Sequence, residues 1–401
     1  MIPVSEALRR ILDALSPVPA ETVGLPEAWN RVLAAPVAAR LTQPPADVSA
    51  MDGYAVRAAE AVEGATLAVT GAAPAGHPFA GTVGPGEAVR IFTGGFVPEG
   101  ADGILLQEDA TAGDGRVTVR ETVRPGRWIR RRGLDFAAGE ELLSPGRRLT
   151  ARDIGLAAAA NHAWLTVHRR PRIGILATGD EIALPGDPLP PGGIVSSNAH
   201  ALAALVRGAG GDPLILPIVG DDSAAIAMAA AAAEGCDLLA TTGGASVGEH
   251  DLVQSALGPQ GFALDFWRIA MRPGKPLIWG HLRGVPLLGL PGNPVSALVC
   301  GVLFLRPAIA RLSGLPAGPV PTRLARLGRD LPENDRREDY LRASLEATGA
   351  DLPVATPFAA QDSSMLKTLA RADALVLRAP HAPALAAGGT VEIIDLAALG
   401  V

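Results

Sequence analysis

Aromatic residues are scarce in this chain: Phe, Trp and Tyr together make 4% of its 401 residues. Its cores must therefore be built from aliphatic side chains, and a hydrophobic fraction of 48% supplies them. Cysteine is rarer still. Cys236 and Cys300 are the only two, and both stand in apolar stretches. That excludes a disulfide-stapled secreted scaffold and predicts buried free thiols in a reducing compartment. Charge is sparse as well, at 19% with a net value of −6, which argues against a general nucleic-acid binder. Long hydrophobic runs are missing too. The most apolar stretch, "AAIAMAAAAA", covers 10 residues, half of the roughly 20 that a membrane span needs. The opening "MIPVSEALRRILDAL" mixes apolar and charged residues at helical spacing, unlike a secretion leader. These absences predict a cytoplasmic protein with neither membrane nor nucleic-acid partner.

What is present is Ala, Gly and Pro, arranged in blocks. A chain of 401 residues suggests two to four domains. Helical and turn-rich material at 1–46 resumes at 134–170, so a discontinuous N-terminal α+β domain is expected. Between them, residues 47–133 read as an inserted small β domain of short runs such as "TLAVTG" and "GRVTVRETV", punctuated by Gly and Pro. From 171 to 316, apolar runs alternate with helices: "RIGILATG", "PLILPIVG", "CDLLATTGG" and "VPLLGLPGNP" each lead into one. Continuous apolar strands followed by helices predict a doubly wound α/β unit with a mainly parallel sheet covered on both faces. Residues 317–401 return to β-like runs and suggest a small C-terminal β-barrel-like domain. The expected fold class is therefore multidomain, α/β plus β.

Ligands of an open parallel sheet bind at the carboxyl ends of its strands. There the sequence has "ATGDE", "VGDD", "TTGGASVGEHD" and "LPGNPVS". Asp180, Glu181, Asp221, Asp222, Glu249 and Asp251 crowd these loops and would repel one another without a counter-ion. Gly243, Gly244 and Gly248 let backbone approach an oxyanion, and Ser246 adds a hydroxyl donor. Asn293 suits an N-cap with Pro294 at the first helical position, which aims a positive helix end at the same rim. Glu181, Asp221 and Asp251 suit Mg²⁺, a hard cation that bridges protein to phosphate. Arg268, Arg272 and Lys275 add positive charge nearby. Taken singly, each loop reads as a turn or a helix cap; four at successive strand ends point to an oxyanion-bearing ligand with a divalent cation. Two stretches outside this unit stay open. Asp52-Gly53 alone is a simple turn, and the arginines around Trp128 (Arg124, Arg127 and Arg130 to Arg132) are either a solvated loop or an anion patch.

The landmarks "SAMDGYA", "IFTGGFVPEGAD", "RRGLDF", "LATGDE", "TTGGASVGEHD", "RPGKP" and "LPGNPVSA" run through essentially the whole chain. In order and spacing the chain resembles the molybdopterin molybdenumtransferase family, which includes bacterial MoeA and the E domain of gephyrin. The resemblance implies an elongated four-part protomer and a homodimer whose active cleft takes residues from both chains. It implies insertion of molybdate into the dithiolene of adenylylated molybdopterin, with Mg²⁺ assisting and AMP released. By motif, it assigns function to Asp52, Thr93, Asp135, Glu181, Asp221, Asp251, Lys275, Pro291 and Pro294. Arg268 and Arg272 stand where relatives often carry lysine, and Arg342 and Ser363 match contact positions of the terminal domain. Transient contact with a MogA-like adenylyltransferase or a molybdoenzyme is a further implication. Two other readings remain at this level: the adenylyltransferase step itself, and a gephyrin-like scaffold.

Overall fold

The structure is a computed structural model that describes residues 1–220, 222–231, 234–243, 257–349 and 351–401. Asp221, Gly244, Ser246, Gly248, Glu249 and Asp251 lie outside the described residues, as does the helical stretch expected after Asp251.

Six strands form the α/β sheet in the order Asp212–Ile215, Arg172–Ala177, Leu238–Thr242, Val285–Leu290, Pro276–Leu282, Phe262–Arg268. The first four are parallel; Pro276–Leu282 runs antiparallel to Val285–Leu290, and Phe262–Arg268 antiparallel to Pro276–Leu282. Leu238–Thr242 is buried at every position, as a central strand between covering layers must be. The run "PLILPIVG" departs from expectation. Its strand lies at the sheet edge, leaving Leu214 48% and Ile215 37% exposed. An apolar run reveals a strand, but its place in the sheet order decides which faces are covered.

Helical segments bury the sheet. Asn198–Ala209 ends at Gly210, whose φ of 96° makes the left-handed C-cap that glycine tolerates. Pro294–Cys300 continues through a π-helical turn, Gly301–Leu305, into Arg306–Leu312. Residues 294–312 are long and apolar enough to cross a membrane, yet 78% of that window is buried inside the protein. Its hydrophobicity belongs to a core helix.

The N-terminal helix Val4–Asp13 buries Val4, Ala7, Leu8 and Ile11 along one face. That face packs into the α/β core with Val302, Leu305 and Ile309. Ile2 seals the contact, its N–H donating to the Arg268 carbonyl at 3.1 Å and its carbonyl accepting from Ala270 at 2.8 Å. The strands Ala20–Gly24 and Val32–Leu33 flank Trp164–His168, so segments from either side of residues 47–133 meet in one sheet. Between those segments lies a six-stranded sheet running from Gly53–Val56 to Arg116–Val119.

The C-terminal strands close into a barrel, because Glu338–Glu346 pairs with both Val354–Pro357 and Ala374–Arg378. Closure removes exposed strand edges. One short strand enters from the α/β unit: Met271–Arg272 pairs in parallel with Glu338 and Asp339. This coupling aims Arg272 at the barrel. Of the two free thiols, Cys300 is buried, and burial raises its pKa; Cys236 is half-buried, less than its apolar neighbours suggested.

Candidate functional site

A cavity of about 600 Å³ opens where three parallel strands end. Thr178 and Gly179 follow one strand, Thr242 and Gly243 end the next, and Pro291 to Pro294 follow the third. The gathering of "ATGDE", "TTG" (241–243) and "LPGNPVS" at one mouth is thus a feature of the fold; of the described residues of "VGDD", Gly220 lies against Asp180 and Asp222 caps the next helix, accepting from the Ala225 N–H at 2.9 Å. Gly243 has φ 91°, and a Cβ there would stand 2.3 Å from the Thr178 carbonyl oxygen. Gly243→Ala is therefore expected to cost about 2 kcal/mol or more in urea denaturation, since left-handed strain and a backbone clash add.

The cavity also takes in two helix starts. Ser197 is the N-cap of Asn198–Ala209 and Asn293 that of the helix at Pro294, but neither side chain caps its helix. Asn293 sits where expected, with Pro294 next, yet its amide donates to Ser363 Oγ at 2.9 Å instead. Two first turns without side-chain caps make a favourable place for an anion. Glu181 also lines the cavity, and it is the one acid among the described lining residues. No described lining residue is Lys or Arg, so attraction for an anion would come from backbone N–H groups at the helix starts. Among the described residues, no group of three His, Cys, Asp or Glu gathers to hold a metal.

The expected cations are divided. Arg272 forms a two-pronged pair with buried Asp339 of the barrel, its Nε 2.9 Å from Oδ1 and its outer nitrogen on Oδ2. It lines a separate cavity of about 210 Å³ with Asn334, Gln361 and Arg378. Arg268 stacks on the Trp267 ring at 3.5 Å, and Lys275 is exposed; neither lines the first cavity.

Arg342 is 1% exposed, and its hydrogen bonds are internal. Its N–H and Nε donate to Gln361 Oε1 at 3.0 and 3.1 Å, and its Nη1 donates to the Asp362 carbonyl at 2.8 Å. Gln361 returns a bond to the Arg342 carbonyl at 2.9 Å. This clamp holds the loop that seats Ser363 against the helix start, where its carbonyl accepts from the Val295 N–H at 3.1 Å. The next residue, Ser364, reaches the cavity wall. Arg342 thus shapes the wall from behind.

Asp52 and Thr93 come together in the inserted sheet. The Thr93 N–H and hydroxyl both donate to Asp52 Oδ1, at 2.7 and 2.8 Å. These donors, the backbone one foremost, hold the Asp52 carboxyl below its usual pKa. Asp135 is exposed, its N–H donating to the Gln43 carbonyl at 3.0 Å. None of the three lines the cavity of the same protomer. In the arginine stretch, Arg131 pairs with Asp47 at 2.5 Å and Arg127 with Glu121 at 2.6 Å, while Trp128 stands half-exposed at φ 61°.

Sequence reasoning missed Ser196, Ser197, Asn198, Thr242 and Ser364, all of which line the cavity. "VSSN" could have been flagged as polar residues preceding a helix, but only folding carries that loop back over the strand ends.

The fold and site define a multidomain α/β plus β protein with a ligand cavity at the carboxyl edge of its central sheet. Three family models cover most of the chain: MoeA N-terminal region (domain I and II) at residues 2–161, probable molybdopterin binding domain at 174–311, and MoeA C-terminal region (domain IV) at 324–396. The molybdopterin molybdenumtransferase of Nostoc sp. is 36% identical, over 94% of this chain and 88% of that protein. Molybdopterin molybdenumtransferase 2 of Mycobacterium tuberculosis is 38% identical, over 98% and 99%. A molybdopterin biosynthesis MoeA protein from Pyrococcus horikoshii superposes with a TM-score of 0.86 at 28% identity, over 98% of this chain and 99% of that one. The chain belongs to the molybdopterin molybdenumtransferase family, and it is a transferase of molybdenum-cofactor biosynthesis.

Proposed function

We propose that this protein inserts molybdate into the dithiolene of adenylylated molybdopterin, with Mg²⁺ assisting and AMP as the released product. The observation that carries this reading is the cavity itself, where two helix starts without side-chain caps meet beside Glu181. Both substrates are anions, and preorganised N–H dipoles stabilise such charge without reorganising. Gly243, with Gly244, Ser246 and Gly248, forms the oxyanion loop; Pro291, Asn293 and Pro294 shape the opposite wall. Lys275 and Arg268 supply positive charge at the approach. Arg342 and Ser363 keep the wall in register with the helix start.

Glu181 is a hard oxygen donor, a type that suits Mg²⁺, and Asp221 and Asp251 complete the set in this reading. When bound, the ion neutralises charge on the adenylyl phosphate. Asp52, held ionised by Thr93, and Asp135 act on the cavity of a second copy, so the working form is a homodimer. The protein works in the cytoplasm, handing product to a molybdoenzyme and receiving substrate from a MogA-like adenylyltransferase.

Reconstitution tests the proposal. Adenylylated molybdopterin, molybdate and Mg²⁺ are expected to yield molybdenum cofactor and AMP, with AMP release dependent on molybdate. Adenylylation of molybdopterin from ATP would instead assign the preceding step. Partner binding without any restoration of molybdoenzyme activity in a deficient cell would assign a scaffold.

A further inference from the structure

Where the two helix starts meet, the cavity also presents a side-chain acceptor. Asn198, the first residue of its helix, spends both hydrogens of Nδ2 inside the protein. One reaches Thr242 Oγ1 at 2.8 Å and the other the Gly292 carbonyl at 2.6 Å. A carbonyl oxygen only accepts, so Gly292 dictates which end of the amide carries nitrogen. Oδ1 is then the polar atom that Asn198 offers to the cavity it lines. Among the described residues, no donor reaches that oxygen.

The backbone N–H groups of these turns suit an anion, whereas Oδ1 only accepts and so takes an N–H or O–H donor from another part of the ligand. The surroundings narrow the choice. Ile182, Ile194, Val195, Pro276 and Pro291 line the same cavity. Ile194 is 54% and Val195 43% exposed, apolar surface that a flat ring would cover. Apolar residues in the same cavity as a fixed acceptor suit a heteroaromatic ring with an N–H edge.

We infer that Asn198 is a specificity-determining residue whose Oδ1 accepts a hydrogen bond from a ring or exocyclic N–H of the substrate's flat heteroaromatic part. This rests on the proposed function, whose substrate carries two rings with that chemistry: the aminopyrimidinone edge of the pterin and the amino group of adenine.

Calorimetric titrations of the full chain with molybdopterin, AMP, inosine monophosphate and molybdate, the first under anaerobic conditions, test the assignment. Asn198→Leu is expected to weaken binding of the recognised ring by about tenfold or more. Molybdate binding, which the backbone N–H groups of the two helix starts carry and the substitution leaves in place, stays unchanged. Thr242→Val loosens Nδ2 but keeps Oδ1, so it is expected to weaken ring binding by less than about threefold. A loss confined to molybdopterin assigns the pterin edge. A loss for AMP, with inosine monophosphate unaffected, assigns the adenine amino group. Unchanged binding of both rings in Asn198→Leu overturns the inference, as does equal loss in Thr242→Val or loss of molybdate binding along with the rings. Wild-type protein that binds neither ring defeats the functional reading itself; wild-type binding that Asn198→Leu leaves intact defeats this inference alone.

Discussion

Asp52→Asn is expected to lower molybdate-dependent AMP release by at least about a hundredfold while leaving the unfolding midpoint nearly unchanged. Asparagine keeps the size of the side chain and an oxygen that still accepts from Thr93, so the local fold survives; only the negative charge goes. In the wild type the Thr93 N–H and hydroxyl both point at Oδ1 and favour the ionised carboxyl. A group whose pKa is depressed in the folded protein stays charged through neutral pH and is lost only as pH falls through the lowered value. Thr93→Val removes the hydroxyl but keeps the N–H, so the acid limb of the activity profile should move upward in pH. A further consequence is geometric. Asp52 does not line the cavity of its own protomer, and the proposal assigns it to a partner's. Mixing Asp52→Asn subunits with Glu181→Gln subunits should then restore about a quarter of wild-type activity, because half of randomly formed dimers are mixed and each has one intact cavity. Mixtures as inactive as their parents would place Asp52 and Glu181 in the same protomer's site; fully active parents would remove them from the mechanism.

Arg272→Ala should destabilise the protein by about 3 kcal/mol, and Asp339→Ala by distinctly less. The asymmetry follows from where the two ends of the pair sit. Asp339 is buried in the barrel, and among the described residues Arg272 is the one guanidinium that donates to it. Removing the arginine strands a carboxylate away from water. Removing the aspartate leaves a half-exposed guanidinium, with Asp335 3.8 Å away and Asn334 Oδ1 at 3.4 Å, and solvent screens what remains. The double variant should be more stable than Arg272→Ala alone, the mark of a coupled pair. Urea unfolding of the three variants measures all of this; equal costs for the two single changes would refute the account. Arg272, expected from its motif to meet an oxyanion, ties the α/β unit to the barrel through both edges of its guanidinium.

The α/β unit was legible because its signal is local. Each apolar run is a strand, each following stretch a helix, and a parallel sheet brings the loops after its strands to one edge. Hence "ATGDE", "TTG" (241–243) and "LPGNPVS" could be placed at one mouth from spacing alone. What the spacing could not carry was direction. Asn293 looked like a cap and instead bonds Ser363, seventy residues away. Arg342 looked like a ligand contact and is fully buried, consumed by Gln361 and the Asp362 carbonyl. Asn198 gave only the weak signal of a polar residue at a helix start, unremarkable until its partners are known.

By itself, the sequence determined the alternation of strand and helix, the glycines that let backbones crowd at the rim, and the family motifs, because backbone preference and hydrophobic period are properties of neighbouring residues. The tertiary structure alone decided that Asp212–Ile215 is an edge strand, that Arg272 serves the barrel, and that the Asn198 amide turns its nitrogen toward Gly292. Those outcomes depend on which distant groups compete for the same donors and acceptors, and only closing the chain brings the competitors together.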